Sequence, residues 1–381
     1  MLRLVPLGLS WPLSLRRPNI LRPDAAPPLF DQSALNYESL EDCCDPSSSS
    51  CSAMSLYSFN SERDTATFVH NANGRKFNKL NPLYKLPSDQ PEFSRHDKQH
   101  ELLKSALGGH LYPAPELVES VLSNIPNRRK AILDLGSGSG AWCIEMANKF
   151  EHADVVGVDL VANASRPTPS NCRFEFDDIN LGLSHYYNQF DLVHSRAVVN
   201  GIDDFTRYVE DIVGCLRPGG VAILVEGDWR PYREDKVTPY PLAGLGGNEG
   251  SWWGRICFEA FELMKKRGSS IDGGDEVEKG LHHPLLRDNQ TASYFVPLGP
   301  WAIGDTEDYT ADLKKQGQLM AENAKEFTGA LSHLFEDAEF PSEVVSSWVD
   351  NVNADLENNK IRQYVKYRYA WGIKKASEAA E

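Results

Sequence analysis

AILDLGSGSGAW, residues 131–142, is an apolar run that passes directly into three closely spaced glycines. The first five residues have the composition of a buried strand, and the glycines predict a tight turn into a following helix. A strand, a glycine-rich loop and a helix in this order are typical of sites where the backbone closely approaches a ligand. The spacing is G-x-G-x-G, which differs from the G-x-G-x-x-G of dinucleotide sites. A tight turn without any ligand is the alternative interpretation.

The chain after this loop alternates between predicted strands and helices. The predicted strands that follow AILDL are DVVGVD (154–159), RFEF (173–176), FDLVHS (190–195) and VAILVE (221–226). Helices are predicted at 140–150 and 203–215, and LRPGG (216–220) predicts a turn. Continuous apolar strands separated by helices are typical of a parallel sheet covered on both faces. The sequence therefore predicts a Rossmann-like, doubly wound α/β fold with a mostly parallel sheet.

Helices are also predicted outside this alternating region. Upstream, DKQHELLKSALGG (97–109) and PAPELVESVL (113–122) carry helical signals. Downstream of Glu226, a stretch rich in Gly and Pro precedes a helix at 252–268, a strand at 291–301, helices at about 306–335 and 341–357, and a last strand at 362–371. We expect these additional helices to form lid insertions over the sheet.

Four acidic residues indicate which ligand the glycine loop admits. Asp134 lies in the strand before the loop, where a negative charge disfavours a pyrophosphate and favours a cationic ligand. Asp159 ends a strand about 20 residues later, where a carboxylate can accept from two ribose hydroxyls. Asp177 and Asp178 precede Ile179 at the next strand end, which suits an adenine amino group and ring. A ligand with adenine, ribose, a positive centre and no phosphate is S-adenosylmethionine.

Polar residues at the end of FDLVHSR extend this predicted site. The backbone N–H groups after Ser139 are expected to face the methionine carboxylate of the ligand. Arg196 is expected either to pair with that carboxylate or to cap a helix. The predicted cofactor-binding residues are Asp134, Gly136, Ser137, Gly138, Gly140, Asp159, Leu160, Asp177, Asp178, Ile179, Ser195 and Arg196.

The predicted chemistry needs few catalytic side chains. Methyl transfer from a sulfonium is an in-line displacement, which positioning alone accelerates strongly. His194 at a strand end is a candidate general base, and the alternative is a hydrogen-bonded structural histidine. Trp252 and Trp253 open the helix after the core and are candidates for contact with the acceptor, although aromatic residues there are more often core.

Five segments in this order carry a family resemblance: ILDLGSGSG (132–140), VVGVDL (155–160), FEFDDI (174–179), FDLVHSR (190–196) and LRPGG (216–220). They resemble the successive motifs of class I S-adenosylmethionine-dependent methyltransferases. More narrowly, YKLPSDQPEFSRHDKQH (84–100), VPLGPW (296–301) and YAWGIK (369–374) resemble segments of the fungal LaeA-like methyltransferases. Ser137 and Ser139 stand where that family often has Thr, and residues 227–250 match no pattern of the family.

The resemblance implies a methyltransferase that uses S-adenosylmethionine and methylates a small-molecule acceptor in fungal secondary metabolism. The alternative is a LaeA-like regulatory protein that acts through protein partners in the control of that metabolism. A nicotinamide-dependent dehydrogenase is a further alternative, which the loop spacing and Asp134 disfavour.

We predict four regions along the chain. Residues 1–53 form a disordered N-terminal extension, because most of this segment is rich in Pro, Ser and acidic residues without periodicity. Residues 54–128 form an N-terminal cap with helices, and residues 129–226 form the core that binds S-adenosylmethionine. Residues 227–381 supply the acceptor and lid insertions and the final strands of the sheet. A chain that begins at Met54 is therefore expected to fold and to bind the cofactor.

Charge and cysteine usage exclude several classes of partner. The net charge is −15, and the first 23 residues hold four Arg and no acidic residue, so the remaining 358 residues carry −19. We expect such a body to bind neither nucleic acid nor membrane. The seven Cys are scattered without a C-x-x-C pair, so no metal site is predicted and a reducing compartment is favoured. We expect a cytoplasmic protein, with the nucleus or, if the Arg-rich segment is a transit peptide, the mitochondrion as alternatives.

Overall fold

The computed structural model describes residues 68–161, 166–244, 250–279, 281–359 and 361–376. The predicted N-terminal extension, residues 1–53, and the expected start at Met54 lie outside the described residues. No helix in the described ranges has both the length and the apolar composition to cross a bilayer.

Seven strands form one sheet, in the order β5-β4-β3-β6-β7-β9-β8. They are β3 (Lys130–Leu135), β4 (Ala153–Asp159), β5 (Cys172–Phe176), β6 (Phe190–Arg196), β7 (Leu216–Tyr232), β8 (Leu286–Pro297) and β9 (Tyr364–Lys374). The strands from β5 to β7 are parallel, whereas β9 runs antiparallel to both β7 and β8. This confirms the predicted Rossmann-like α/β class with a mostly parallel sheet. The strand order reverses between β3 and β6, which is where such folds bind ligands.

Helices cover the sheet and its carboxyl edge. They are α1 (Gln90–Ala106), α2 (Pro115–Val121), α3 (Ala141–Lys149), α4 (Phe205–Cys215), α5 (Trp252–Lys266), α6 (Gly273–Lys279), α7 (Glu307–Ala330), α8 (Ser332–Glu336) and α9 (Ser342–Asn358). The helices of the alternating core begin and end close to their predicted bounds. Helices α1, α5, α7 and α9 come from outside that core and pack on one another, as expected for lid insertions.

Successive residues of the central strands belong to two different hydrophobic cores. Ile132 belongs to the core that includes Trp142 of α3, and Leu133 belongs to the core that includes Ile212 of α4. Side chains alternate between the faces of a strand, so an apolar residue at every position requires both faces to be covered. This burial on two faces explains why the strands could be predicted as continuous apolar runs.

The region before α1 differs from the prediction. A hairpin of β1 (Val69–Ala72) and β2 (Arg75–Asn78) precedes the helix, and the sequence pattern did not reveal it. Helix α1 begins at Gln90, seven residues before the predicted start. Asp89 is its N-cap and accepts from the backbone N–H of Glu92, while both of its carboxylate oxygens also accept from Arg75 on the hairpin. An N-cap and an ion pair to another element thus fix this end of the helix together.

Strand β7 includes two segments that were not predicted as strand. The predicted turn LRPGG lies within it, at a shift in the pairing with β6. Phe190 and Leu192, two residues apart on β6, pair with Leu216 and Val221, which are five residues apart on β7. The strand also continues beyond Glu226 to Tyr232, since β9 pairs with its other edge. The predicted regions 129–226 and 227–381 therefore share one strand, and their division stays a prediction.

Candidate active site

A cavity of about 260 Å³ lies at the carboxyl edge of the sheet. Residues that follow β3, β4, β5 and β6, together with the part of β7 after Val225, form one wall of it. Helices α1, α5 and α7 supply most of the other residues that line it. The cavity therefore occupies the position at which doubly wound sheets bind their ligands.

The glycine loop lines this cavity with backbone in a conformation that side chains rarely adopt. Gly138 has a φ of +54°, and a Cβ at this position would lie 2.6 Å from Nδ1 of His96 on α1. Gly140 has a φ of +79° at the N-cap of α3, and its Cβ would lie 2.5 Å from the ring of Phe174. Any side chain at these two positions would both strain the backbone and collide with a neighbour. The loop is thus built for a close approach of backbone to other groups.

Asp159, at the end of β4, is linked to this loop. Its carboxylate accepts from the backbone N–H of Gly138 at 2.7 Å and from that of Val161 at 3.2 Å. Burial raises the pKa of Asp159, although both hydrogen bonds oppose that rise. A ligand that donates hydrogen bonds to this carboxylate would compensate for its burial.

The two predicted acidic residues after β5 also line the cavity. Asp178 accepts from the backbone N–H of Asn180 and from the side-chain amide of Asn81, at 3.1 and 3.2 Å. Asp177 lies 3.1 Å from Nε2 of His185. Burial raises the pKa of both carboxyls. They are the polar groups that this edge of the cavity offers to a ligand with exocyclic N–H donors.

The structure brings most of the predicted site residues together. Those that line the cavity are Gly136, Ser137, Gly138, Asp159, Leu160, Asp177, Asp178, Ile179, Arg196 and Trp253. Those that do not are Asp134, Gly140, His194, Ser195 and Trp252. Ser195 is buried and accepts a hydrogen bond from the hydroxyl of Tyr208 at 2.7 Å, so its side chain serves the interior of the fold.

His194 must be corrected as a candidate general base. Its Nδ1 lies 2.7 Å from Oδ1 of Asp134, and its ring stacks on Trp142 with 4.0 Å between centroids. It is 2% exposed and lies against a separate small cavity. Burial lowers the pKa of His194, in spite of the neighbouring carboxylate. A base must reach the proton that it removes, and this side chain faces the small cavity and does not line the large one.

Asp134 is corrected for the same reason. It is 3% exposed, and its second oxygen accepts from the thiol of Cys143 at 3.1 Å. Burial alone would raise the pKa of Asp134, but the proximity of His194 holds that pKa below its usual value. The carboxylate that the sequence assigned to a cationic ligand is thus engaged by a histidine and a thiol of the chain itself.

Arg196 keeps an available positive charge at the edge of the cavity. It forms no ion pair with a carboxylate of the described residues, and its Nη1 lies 3.5 Å from Nδ1 of His100. An unpaired guanidinium in a partly buried site is suited to a carboxylate ligand. The predicted partnership with a methionine carboxylate is compatible with this position.

A buried polar cluster, which sequence reasoning missed, connects two of the lid helices. Arg95 on α1 lies 2.6 Å from Oε1 of Glu92 and donates to the side chain of Asn323 on α7 at 2.9 Å. Burial opposes ionisation of Glu92, but Arg95 and His96 hold its pKa at about 2. Arg95, His96 and Asn323 all line the cavity. Arg95 and His96 lie in the segment 84–100, which carried the family resemblance, whereas no signal in the sequence pointed to Asn323.

Glu226 on β7 is a second site residue that the sequence did not reveal. It lines the cavity and is 5% exposed. Its Oε1 accepts from the backbone N–H groups of Val198 and Val199 at 2.9 and 3.3 Å. Burial raises the pKa of Glu226 to about 7, although these hydrogen bonds oppose the rise. A buried carboxyl that titrates near neutrality in a cavity is typical of functional sites.

The wall opposite the strand ends is mainly apolar. Its residues come from the end of β7, from α5 and the segment after it, from α7 and from β9: Trp229, Trp253, Cys257, Ala260, Phe261, Met264, Ile271, Met320, Phe327 and Val365. The cavity therefore has a polar wall, formed by strand ends, and an apolar wall, formed mainly by the insertions. Such a division suits a polar cofactor and an apolar second ligand.

Within the described ranges, three side chains that could bind a metal ion lie close together: His100, Glu101 and Glu145. The ammonium of Lys104 lies 2.7 Å from Glu101 and 2.9 Å from Glu145. A cation of the chain thus already balances these carboxylates, and none of the four residues lines the large cavity.

The residues at the polar wall fit S-adenosylmethionine. The glycine loop presents backbone to the cavity, carboxylates lie at the ends of two strands, and a guanidinium stands without a carboxylate partner within the described residues. These are the groups that a ribose, an adenine and an amino-acid carboxylate require.

Known proteins share this sequence pattern. The sequence model of the family described as "Methyltransferase domain" matches residues 111–257. Relatives include the "Secondary metabolism regulator laeA" of Coprinopsis cinerea, 30% identical over 74% of this chain and 66% of its own length. "Methyltransferase pytC" of Aspergillus terreus is 28% identical over 65% of this chain and 70% of its own length.

A third relative is the "Protein-methionine methyltransferase laeA" of Emericella nidulans, 31% identical over 65% of this chain and 61% of its own length. The chain therefore spans slightly less than two thirds of each of the two laeA proteins named here. The matched domain contains the glycine loop, the acidic strand ends and the strand that carries Glu226. This chain belongs to the class I S-adenosylmethionine-dependent methyltransferases, in the LaeA-like group.

Proposed function

We propose that this protein methylates a small-molecule acceptor with a flat, apolar body in secondary metabolism. The observation that carries the proposal is the apolar wall of the cavity, which four aromatic residues help to form: Trp229, Trp253, Phe261 and Phe327. An apolar wall of this kind favours an aromatic or lipophilic molecule over a polar peptide segment. The name of the relative "Methyltransferase pytC" supports a transferase role.

The chain's residues have distinct roles in this proposal. When bound, S-adenosylmethionine supplies an electrophilic methyl group on a sulfonium centre. Asp159 accepts from the ribose hydroxyls, Asp177 and Asp178 face the adenine, and Arg196 pairs with the methionine carboxylate. Helices α1, α5 and α7 exclude water and hold the acceptor in line, which is the main source of acceleration for a displacement of this type.

Trp253 contributes a specific contact to the acceptor. It is 6% exposed, and its indole Nε1 has no hydrogen-bond partner within the described part of the chain. This N–H is closed off from the cavity, so Trp253 offers the acceptor the apolar surface of its ring.

The test is an acceptor screen with the purified full chain. We expect release of S-adenosylhomocysteine, measured by mass spectrometry, with phenolic and related hydroxylated aromatic compounds, and little release with peptides. A Trp253→Ala variant, which loses the apolar contact, should raise KM for those acceptors. Metabolite profiles of cells with and without the gene would identify the natural acceptor. Absence of turnover with every small molecule, together with methylation of a protein, would reject the proposal.

A regulatory role through protein partners is the second candidate, because two of the relatives are named laeA, one of them as a secondary metabolism regulator and the other as a protein-methionine methyltransferase. A pull-down dominated by transcription regulators, with no methylated metabolite, would favour it. The acidic charge of the chain supports neither nucleic acid nor an anionic membrane as a partner, and we propose the cytoplasm as its location.

A further inference from the structure

Glu226 lies where the polar and the apolar walls of the cavity meet. Pairing between β6 and β7 ends with Arg196 opposite Val225, so Glu226 is the next residue at the carboxyl edge of the sheet. Val198, whose backbone it binds, belongs to the polar wall, and Trp229, three residues further along β7, belongs to the apolar wall. This is the region between the site proposed for the cofactor and that proposed for the acceptor.

The two carboxylate oxygens of Glu226 have different surroundings. Oε1 is held by two backbone N–H groups, those of Val198 and Val199. No donor in the described part of the chain binds Oε2. One oxygen therefore fixes the orientation of the side chain, and the other can accept a proton or a hydrogen bond from a ligand.

The charged and titratable groups around Glu226 do not neutralise it. Arg368 on β9 contributes a positive charge, but this guanidinium is already paired with three carboxylates, those of Asp228, Asp275 and Glu278. Tyr208 on α4 donates its hydroxyl proton to Ser195 instead. A buried carboxylate without its own cation readily takes up a proton, which agrees with a pKa of about 7 for Glu226.

We propose that Glu226 is the general base that removes the proton from a hydroxyl of the acceptor. This inference rests on the proposed small-molecule function. In the balanced step, the acceptor oxygen forms a bond to the methyl carbon, and the S–CH3 bond breaks with its electron pair remaining on sulfur. The hydroxyl proton passes to Oε2 of Glu226 and later to solvent. The products are the methyl ether and neutral S-adenosylhomocysteine.

Three other carboxyls that line the cavity are less suited to this role. Asp159, Asp177 and Asp178 stand at the ends of β4 and β5, where they serve the proposed cofactor site. His194 lies outside the cavity. A purely structural role for Glu226, as an anchor of the backbone at Val198 and Val199, is the alternative that an experiment must separate.

The first experiment needs no acceptor. A sulfonium in the cavity lowers the pKa of a nearby carboxyl, so S-adenosylmethionine should release protons from Glu226 on binding, whereas S-adenosylhomocysteine should release fewer. Calorimetry at pH 7 in buffers of different ionisation enthalpy measures this release, which we expect to be roughly half a proton. Glu226→Gln, which can keep the bonds to Val198 and Val199, should abolish the difference between the two ligands while affinity changes by a few-fold at most.

Glu116→Gln is the matched control, because Glu116 is exposed on α2 and does not line the cavity. It should release protons as the wild type does. An unchanged release in Glu226→Gln would overturn the proposal. Failure of the wild type to bind S-adenosylmethionine at all would instead reject the proposed function, so the two failures are distinguishable.

The second experiment uses a phenolic acceptor found in the screen. Glu226→Gln should lower kcat about 100-fold or more, with KM nearly unchanged, and should remove the fall in kcat at acidic pH that the wild type is expected to have. A kcat within three-fold of the wild type, or an unaltered pH profile, would show that Glu226 only anchors the backbone. Glu226→Ala, which also loses the anchor, should lower cofactor affinity in addition.

Discussion

Nδ1 of His194 lies 2.7 Å from Oδ1 of Asp134, and this pair joins β6 to β3 at the point where the strand order reverses. Both residues are almost completely buried, and they stand opposite each other in the parallel register. Hydrogen bonds between side chains at this point hold two strand ends whose loops both line the cavity. The pair therefore holds together the two strand ends on which the site is built.

Removal of His194 should destabilise the fold. His194→Ala leaves the Asp134 carboxylate buried without its main partner and removes the stacking on Trp142, so we expect a loss of about 3–5 kcal/mol in the free energy of unfolding. Urea denaturation followed by circular dichroism measures it. His194→Gln, which can still donate to Asp134, should lose less. A loss under 1 kcal/mol for His194→Ala would contradict the structural role.

The sequence identified some residues of the site and missed others, and the difference has a physical explanation. The glycine loop and the acidic strand ends were identified because local spacing along a strand-loop-helix unit determines their position. For His194 the sequence left a general base and a structural histidine both open, because its residue type and its place at a strand end do not reveal which side of the sheet its ring faces. Glu226 was missed because its raised pKa depends on burial beneath the loop after β6, which local spacing along the chain does not reveal.

Asp159→Ala should weaken cofactor binding. The carboxylate is expected to form charge-assisted hydrogen bonds with the ribose, and it also holds the backbone N–H of Gly138, so its loss should cost about 1–3 kcal/mol of binding free energy. Calorimetry with S-adenosylhomocysteine measures the change. Asp154→Ala, a half-exposed position at the other end of the same strand, is the control and should bind normally. Equal affinity of Asp159→Ala and wild type would exclude the ribose contact.

Gly138→Val should abolish cofactor binding without unfolding the protein. A valine at φ +54° is strained, and its Cβ would press on the ring of His96 at 2.6 Å, so the loop must move away from the geometry that admits the ligand. Gly329→Ala near the end of α7 is the control, since a Cβ there meets nothing within 4 Å. Thermal unfolding and calorimetry on both variants separate folding from binding. Binding by Gly138→Val would show that the loop does not approach the ligand closely.

Glu226→Gln should change how stability depends on pH. The pKa of Glu226 in the folded protein is about 7, above its value of 4.5 in an unfolded chain, so the folded state binds the proton more tightly. The stability that this group contributes is complete below pH 4.5 and is lost as pH rises through 7. Glutamine does not titrate. As pH rises from 4.5 to 8, the wild type should therefore lose up to about 3 kcal/mol of unfolding free energy that the variant does not lose. This figure follows from 1.36 kcal/mol for each unit of pKa shift.

Urea denaturation at several pH values between 4.5 and 8 tests this expectation, and the difference between the two proteins cancels the titration of all groups that they share. Glu116→Gln should follow the wild type at every pH, because its side chain is exposed in the folded state as in the unfolded one. A difference between Glu226→Gln and wild type that stays constant with pH would mean that the carboxyl is already ionised at pH 4.5. It would then lack the affinity for a proton that a base working near neutral pH requires.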